Sequence, residues 1–220
     1  LFISEYSEGS GQNKYLEIYN GTGLSVDLSD YQIWKILNGG SWPEYTLNLS
    51  GNLAHDDVYI IYNASANVDP IIISAGDVTW SQANWTGNDA VGLSKNGALI
   101  DIIGEDGPNI GNSNGWDVAG ITDATRNRTL VRKCSVTGGN TNWNLSAGTD
   151  TLNSEWVVLS QNDWSDIGQH TFPCLSISGC TNPIACNYDP TATIDDGSCI
   201  LPDGCTDLTA CNYDALALCD

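Results

Sequence analysis

Four oxygen-bearing side chains near the end of the chain, Asn187, Asp189, Asp195 and Asp196, make the clearest candidate for chemistry. They are hard ligands around a short turn, with no Lys or Arg anywhere from Cys174 onward, a setting that suits Ca2+ as the one cofactor. The spacing is not that of an EF-hand. Gly197 follows the acidic pair, but the alternating D-x-D-x-D start is missing. Solvated acidic turns held by disulfides are the competing explanation. A second constellation is basic: Arg126, Arg128, Arg132 and Lys133 lie within eight positions and make up four of the seven cationic residues. On a strand, Arg128 and Arg132 share a face. Such a patch could hold a phosphate or an anionic glycan, and Trp116 in the GWD loop, with Trp80 and Trp85, could stack on sugar rings or bases. Charge balance on an acidic sandwich, and Trp as an ordinary core anchor, are the plainer readings.

Catalysis finds little support in the residues. Only His55 and His170 could serve a nucleophilic triad, and both read as solvated turn histidines. There is no H-E-x-x-H and no phosphate-cradling loop followed by Lys. The pair Asp56-Asp57 reads as an acidic turn, and Glu17 as an outward charge that discourages edge pairing. The sequence therefore predicts no enzyme within this chain.

Eight cysteines point to an oxidising compartment, and six of them fall between Cys180 and Cys219. There the phrase GCTNPIACNYD (179–189) returns as GCTDLTACNYD (204–214), identical at eight of eleven positions. No C-x-x-C pair occurs, and His170 is the only histidine nearby, so disulfides are preferred over zinc. The expected pairs are Cys180 with Cys199 around the first repeat, Cys211 with Cys219 in the second, and Cys134 with Cys174 across the last strands of the preceding domain. Cys205 would await a cysteine past Asp220, and Cys186 has no obvious partner. Aligning the two copies predicts that the natural protein continues with a further D-G-S-C. With no initiator Met, the chain is expected to be a piece of something longer. Each repeat is too small to bury a core, so stapling and stacking would make it a spacer.

Six N-x-[ST] sequons, at Asn20, Asn48, Asn63, Asn84, Asn127 and Asn144, would be glycan acceptors in a eukaryotic secreted protein.

The elements that must position these residues are strands. LFISEYS alternates with Phe2, Ser4 and Tyr6 on one side and Ile3 and Glu5 on the other, and KYLEIYN sets Leu16 and Ile18 against Tyr15, Glu17 and Tyr19. Further strands are expected at 31–37, 45–49, 57–62, 90–94, 98–103, 129–133 and 156–159. Lys95-Asn96-Gly97 signals a hairpin. Many short strands and turns make an antiparallel sandwich or barrel, and no helix is required. The Gly- and Asn-rich segment 104–125 reads as a long loop of the functional or mobile kind. Composition places the sandwich at 1–174, the first repeat at 175–203 and a truncated second repeat at 204–220. Twenty-seven carboxylates against seven Lys and Arg argue against nucleic acid as a partner and fit an extracellular protein or a binder of divalent cations. Neither a signal peptide nor a membrane span can be read in the chain.

The ordered blocks ISEY, KYLEIYN, VDLSDYQI and NDAVGLSKNGALIDIIG resemble the lamin-tail domain, an immunoglobulin-like β-sandwich of nuclear lamins and of many secreted bacterial proteins. GWDVAGITDATRNRTLVRK, with NTNW and SEWVVL, is similar to the form fused to extracellular nucleases and surface proteins of Bacteroidetes-type bacteria. The resemblance spans roughly residues 1–172. The closing GC…ACNYD…DDGSC repeats resemble those of large surface proteins from similar bacteria, the kind exported by type IX secretion. Asp150-Thr151-Leu152 resembles an O-glycan acceptor in such bacteria, and the N-x-[ST] sequons would then be chance products. What the resemblance implies is a non-catalytic structural or adhesive module of a larger cell-surface or filament protein. Its partners would be other modules of that protein, neighbouring surface proteins or glycans. The alternative is an accessory, substrate-positioning or tethering region of a secreted hydrolase such as a nuclease, with the chemistry in a separate domain. A nuclear lamin tail is disfavoured, because cysteine-dense repeats belong in an oxidising space.

Overall fold

A computed structural model describes residues 1–111, 114–171, 178–189, 192, 194–201 and 204. The chain divides into two compact units, Leu1–His170 and Thr171–Asp220. In chain order the first unit holds β1 (Phe2–Glu8), β2 (Lys14–Tyr19), β3 (Val26–Asp27), a 3-10 turn (Leu28–Asp30), β4 (Tyr31–Lys35), β5 (Tyr45–Asn48), β6 (Asn52–Leu53) and β7 (Val58–Asn63). It continues with α1 (Pro70–Ala75), β8 (Val78–Trp80), β9 (Val91–Lys95), β10 (Ala98–Ile103), β11 (Thr129–Arg132), α2 (Trp143–Ala147) and β12 (Trp156–Leu159). A six-stranded sheet runs β12-β11-β1-β2-β7-β8 and a four-stranded sheet runs β10-β9-β4-β5. All pairs in them are antiparallel except β7 with β8. The fold is an all-β, immunoglobulin-like sandwich. Ile3, Tyr6, Leu16, Ile18 and Leu130 of one sheet meet Ile33, Val91, Leu93 and Ile103 of the other in one buried cluster.

The first strand departs from strict alternation. Between β1 and β2 the register passes from Ile3 opposite Ile18 to Glu5 opposite Glu17, so Ser4 is an extra residue, a β-bulge. The bulge lets Ile3 and Tyr6 both face the core and turns Phe2, Glu5 and Ser7 outward, which corrects the period-two reading of LFISEYS. Outward is not exposed, however. Tyr15 and Ile60 on that face are covered by Val68 and Ile72, with Trp164 and Ile167 packed against them. As a result every residue of β1 and β2 is buried.

Two short helices correct the expectation that none is needed. Each is marked by its cap more than by periodicity: Asp69 accepts from Ile71 N (2.9 Å) ahead of Pro70, and Asn142 accepts from Leu145 N (3.2 Å). The predicted hairpin is present, with Asn96 and Gly97 both at positive φ (50° and 77°) between β9 and β10. The long segment 104–125 is tied into the sandwich where it is described. Val118 and Ala124 are buried, and the Thr125 hydroxyl donates to Gly87 O (2.7 Å) while accepting from Trp116 N (2.8 Å).

In the second unit β13 (Ser178–Gly179) pairs in parallel with β14 (Ile194–Asp195). Cys180 and Cys199 form a disulfide with Cα atoms 4.7 Å apart, as the repeat spacing predicts. Cys134 and Cys186 are also disulfide-bonded, so Cys186 does have the partner its spacing failed to suggest. Cys174, Cys205, Cys211 and Cys219 lie outside the described residues. Among the described residues no helix is long and apolar enough to cross a membrane.

Candidate functional site

The basic cluster does not form a single surface patch. Arg132, at the end of β11, is 1% exposed, and its guanidinium is engaged from several sides. Nη2 donates to Asp101 Oδ2 (2.5 Å), Nη1 to Glu155 Oε2 (2.5 Å) and Ser146 Oγ (3.1 Å), and Nε to Ile3 O (3.0 Å). The same group lies 4.0 Å from the centre of the Trp156 ring. Asp101, fully buried, also accepts from Ile3 N (2.7 Å) and Asn140 N (2.9 Å). Burial pushes the Asp101 carboxyl upward against the pull of Arg132 and of those amides. The pair therefore ties β10 and β11 to the bulged start of β1. Arg128 is exposed and Arg126 half-buried, so Arg132 stands apart from both.

The tryptophans follow the same pattern. Trp85 is fully buried, stacked on Tyr6 at 5.5 Å, with its indole N–H on Ser7 O (2.8 Å). Trp80 is buried as well. Half-buried Trp116 packs against the core and edge-on to Trp143 at 6.5 Å. Its ring covers Gly104, where φ is +79° and a Cβ would come within 2.5 Å of the indole. No platform of three stacked-ready indoles is assembled from these residues.

The two histidines differ. His55 sits in a turn, with Gly23 N donating to Nδ1 (3.2 Å) and Nε2 3.4 Å from Asp56. His170 is not a solvated turn residue. Its ring packs against Phe2 (5.5 Å) and Tyr19 (4.7 Å), and Nε2 is buried with no hydrogen-bond partner among the described residues. Burial, and then the charge of Arg132, lower its pKa to about 4.

Sequence reasoning missed a set of buried charges. Glu17, expected to point to solvent, is fully buried in a central strand, because the covering segments close over that face of the sheet. It accepts from Ser4 Oγ (2.7 Å) and Gly168 N (2.8 Å), and burial raises its pKa to about 8. Glu5, directly opposite, accepts from the Tyr15 hydroxyl and is raised to about 9 by burial and by the Glu17 charge. Its Oε2 is buried without a partner among the described residues. Lys35 and Asp89 form a third buried pair, both side chains fully enclosed. The adjacent register of two carboxylates, and a lysine at a core-facing strand position, were the signals available.

In the repeat, the four candidate calcium ligands are placed in turns. The Asn187 carboxamide donates to Ser198 O (2.8 Å) and accepts from Ile200 N (2.8 Å). Asp195 and Asp196 accept from Gly197 N and Ser198 N, both at 2.9 Å. Asp189 lies beside Gly179, and its backbone N–H donates to Cys180 O (2.9 Å). Among the described residues no three His, Cys, Asp or Glu side chains are gathered as a metal site. Of the sequons, Asn20 and Asn63 are buried and hydrogen-bonded inside the sandwich, whereas Asn48, Asn84, Asn127 and Asn144 are exposed. Thr151 is exposed beside Leu152, which is 93% exposed.

Residues 1–107 match the family model of the lamin tail domain. That stretch runs from β1 through the end of β10, so it contains the whole four-stranded sheet and four strands of the other. No curated protein matches the chain.

Proposed function

We propose that this chain is a non-catalytic structural or adhesive module of a larger extracellular protein, displayed at a bacterial cell surface or in a filament. One observation carries the reading: the charged side chains that could have done chemistry are spent inside the sandwich. Arg132 and Asp101, with Glu155, tie β1, β10 and β11 to α2, and the Glu17 carboxyl ties the 160–170 segment to β2. The lamin-tail match supports a structural domain, and the Cys180–Cys199 bridge supports an oxidising space. Partners would be further modules of the same protein, neighbouring surface proteins or glycans. The exposed Arg128 favours a second reading, an accessory region that positions an anionic substrate for a secreted hydrolase such as a nuclease. A calcium role for Asn187, Asp189, Asp195 and Asp196 belongs to the same proposal, as a brace for the repeat. The purified chain, assayed on DNA, RNA, peptides and common glycosides with and without divalent ions, is expected to give no turnover. Hydrolysis that survives purification and is lost in His55→Ala or His170→Ala would overturn the reading.

A further inference from the structure

Along β4 the buried residues are Tyr31, Ile33 and Lys35, so Lys35 occupies a core-facing position that the alternation would give to an aliphatic side chain. It pairs with Val91 of β9, and Asp89, two residues before Val91, follows the same parity. Asn84 comes from the turn between β8 and β9. Its neighbours are pinned: Asn63 Nδ2 donates to Ala83 O (2.8 Å), and the Trp85 indole to Ser7 O (2.8 Å). The three side chains converge in a definite order. Lys35 Nζ lies 3.6 Å from Asp89 Oδ2 but only 2.5 Å from Asn84 Oδ1.

A lysine placed only to neutralise Asp89 would close to the ~2.8 Å of a charge-assisted hydrogen bond. Here the carboxylate is instead taken up by backbone amides, Asn38 N on Oδ1 (2.8 Å) and Thr86 N on Oδ2 (3.2 Å). The amine is lodged against a neutral carboxamide. Because a C=O bond is ≈ 1.2 Å long, Asn84 Cγ is within about 3.7 Å of Nζ, close to the ~3–3.5 Å separation of reacting atoms held for attack. Burial lowers the Lys35 pKa, against the pull of Asp89 and Glu44, so the free amine is easier to reach than on a surface lysine.

We propose that Lys35 and Asn84 join in an intramolecular isopeptide bond, with Asp89 as the proton relay. The Lys35 ammonium passes one proton to the Asp89 carboxylate, and the freed electron pair on Nζ attacks Asn84 Cγ. The tetrahedral adduct gives up a second proton from Nζ while the Asn84 Nδ2 group is protonated, and the Cγ–Nδ2 bond breaks. A new Nζ–Cγ amide forms, and ammonia leaves, carrying away the proton held by Asp89 as ammonium. No oxidant, reductant or co-reactant is needed. The product links β4 of the four-stranded sheet to the turn after β8 of the six-stranded sheet, a covalent brace across the sandwich. It would form whether or not the chain acts at a surface.

The whole chain, expressed without glycosylation and fully reduced, is weighed intact and then digested. The expected result is a mass one ammonia below that of the sequence, and a branched peptide joining Lys35 to Asn84. In Lys35→Met and Asn84→Ala the sequence mass returns, and in Asp89→Asn most of the chain stays uncrosslinked although amine and amide are both kept. A wild-type chain at its full sequence mass would overturn the proposal. So would an ammonia loss that persists in Lys35→Met, or one whose chain is cleaved by hydroxylamine at an asparagine, since that marks cyclised asparagine elsewhere. The branched peptide from wild-type protein is decisive even if a variant fails to fold.

Discussion

Replacing Asp101 by Ala removes the anion at the centre of a buried polar network that joins β1, β10 and β11. Its carboxylate accepts from Arg132 Nη2 (2.5 Å), Ile3 N (2.7 Å), Asn140 N (2.9 Å) and Ile102 N (3.0 Å), with no solvent to take its place. Breaking a buried ion pair from one side costs about 3–5 kcal/mol, since the surviving charge stays buried. Orphaning the Ile3 amide at the bulge adds about 1–3 kcal/mol, part of which overlaps with the first cost. Glu155 still holds Arg132 from its partly exposed side and softens the loss. The expected total is about 4–6 kcal/mol, a large share of the ~5–15 kcal/mol typical of a folded domain. At ~2–4 °C per kcal/mol for a chain of this size, Tm should fall by roughly 10–20 °C. Urea unfolding followed by tryptophan fluorescence reads the change, because Trp156 lies against the Arg132 guanidinium. The double variant Asp101→Ala/Arg132→Met removes both ions and should recover much of the loss. A single variant within about 1 kcal/mol of wild type, or a double variant as costly as the two singles summed, would show that Asp101 and Arg132 are not coupled in this way.

From about pH 5, where the unfolded carboxyls ionise, up to pH 8–9, Glu5 and Glu17 should make stability decline. Glu5 and Glu17 are raised to about 9 and about 8 in the fold, so the unfolded chain sheds protons that the folded one keeps, at up to ~1.4 kcal/mol per pH unit per group. Glu5→Gln should flatten this slope in urea titrations, and an unchanged slope would count against a buried protonated pair. Reducing agent should release the repeat before the sandwich melts: a bridge closing a loop of 19 residues is worth about 3 kcal/mol to it. Limited proteolysis with tryptophan fluorescence would show the order, and simultaneous loss would contradict it. Gly104→Ala combines positive φ with a clash on Trp116 and should cost about 1–3 kcal/mol by thermal unfolding. Millimolar calcium should raise protection of the repeat in hydrogen exchange if Asp195 and Asp196 bind it, and unchanged exchange would leave them as turn caps alone.

The strands were legible because their signals are local. Alternation in KYLEIYN and the Asn-Gly of the β9–β10 hairpin place residues without reference to the rest of the chain. What stayed hidden depends on distant residues closing over a face. Glu17 reads as an outward charge on its own strand, and segments far along the chain, among them 160–170 some 150 residues away, close over its face. Arg132 reads as part of a basic cluster with Arg126 and Arg128, yet its partners are Asp101 and Glu155, 31 and 23 residues distant. The bulge at Ser4 was invisible for a related reason, because register belongs to a pair of strands and not to one. Among the repeat cysteines, spacing found Cys180 with Cys199 but offered nothing for Cys186. Two-residue strands such as β3 and β6, and helices of five or six residues, carry too few positions to show a period.

Whether the chain is an extracellular structural module is read by labelling cells of the source organism with an antibody raised against residues 1–170, before and after permeabilisation, and alkylating the captured protein without reductant. Full labelling is expected on intact cells, with Cys180 and Cys199 resistant to alkylation until they are reduced. Labelling seen only after permeabilisation, with both cysteines alkylated as free thiols, would contradict it.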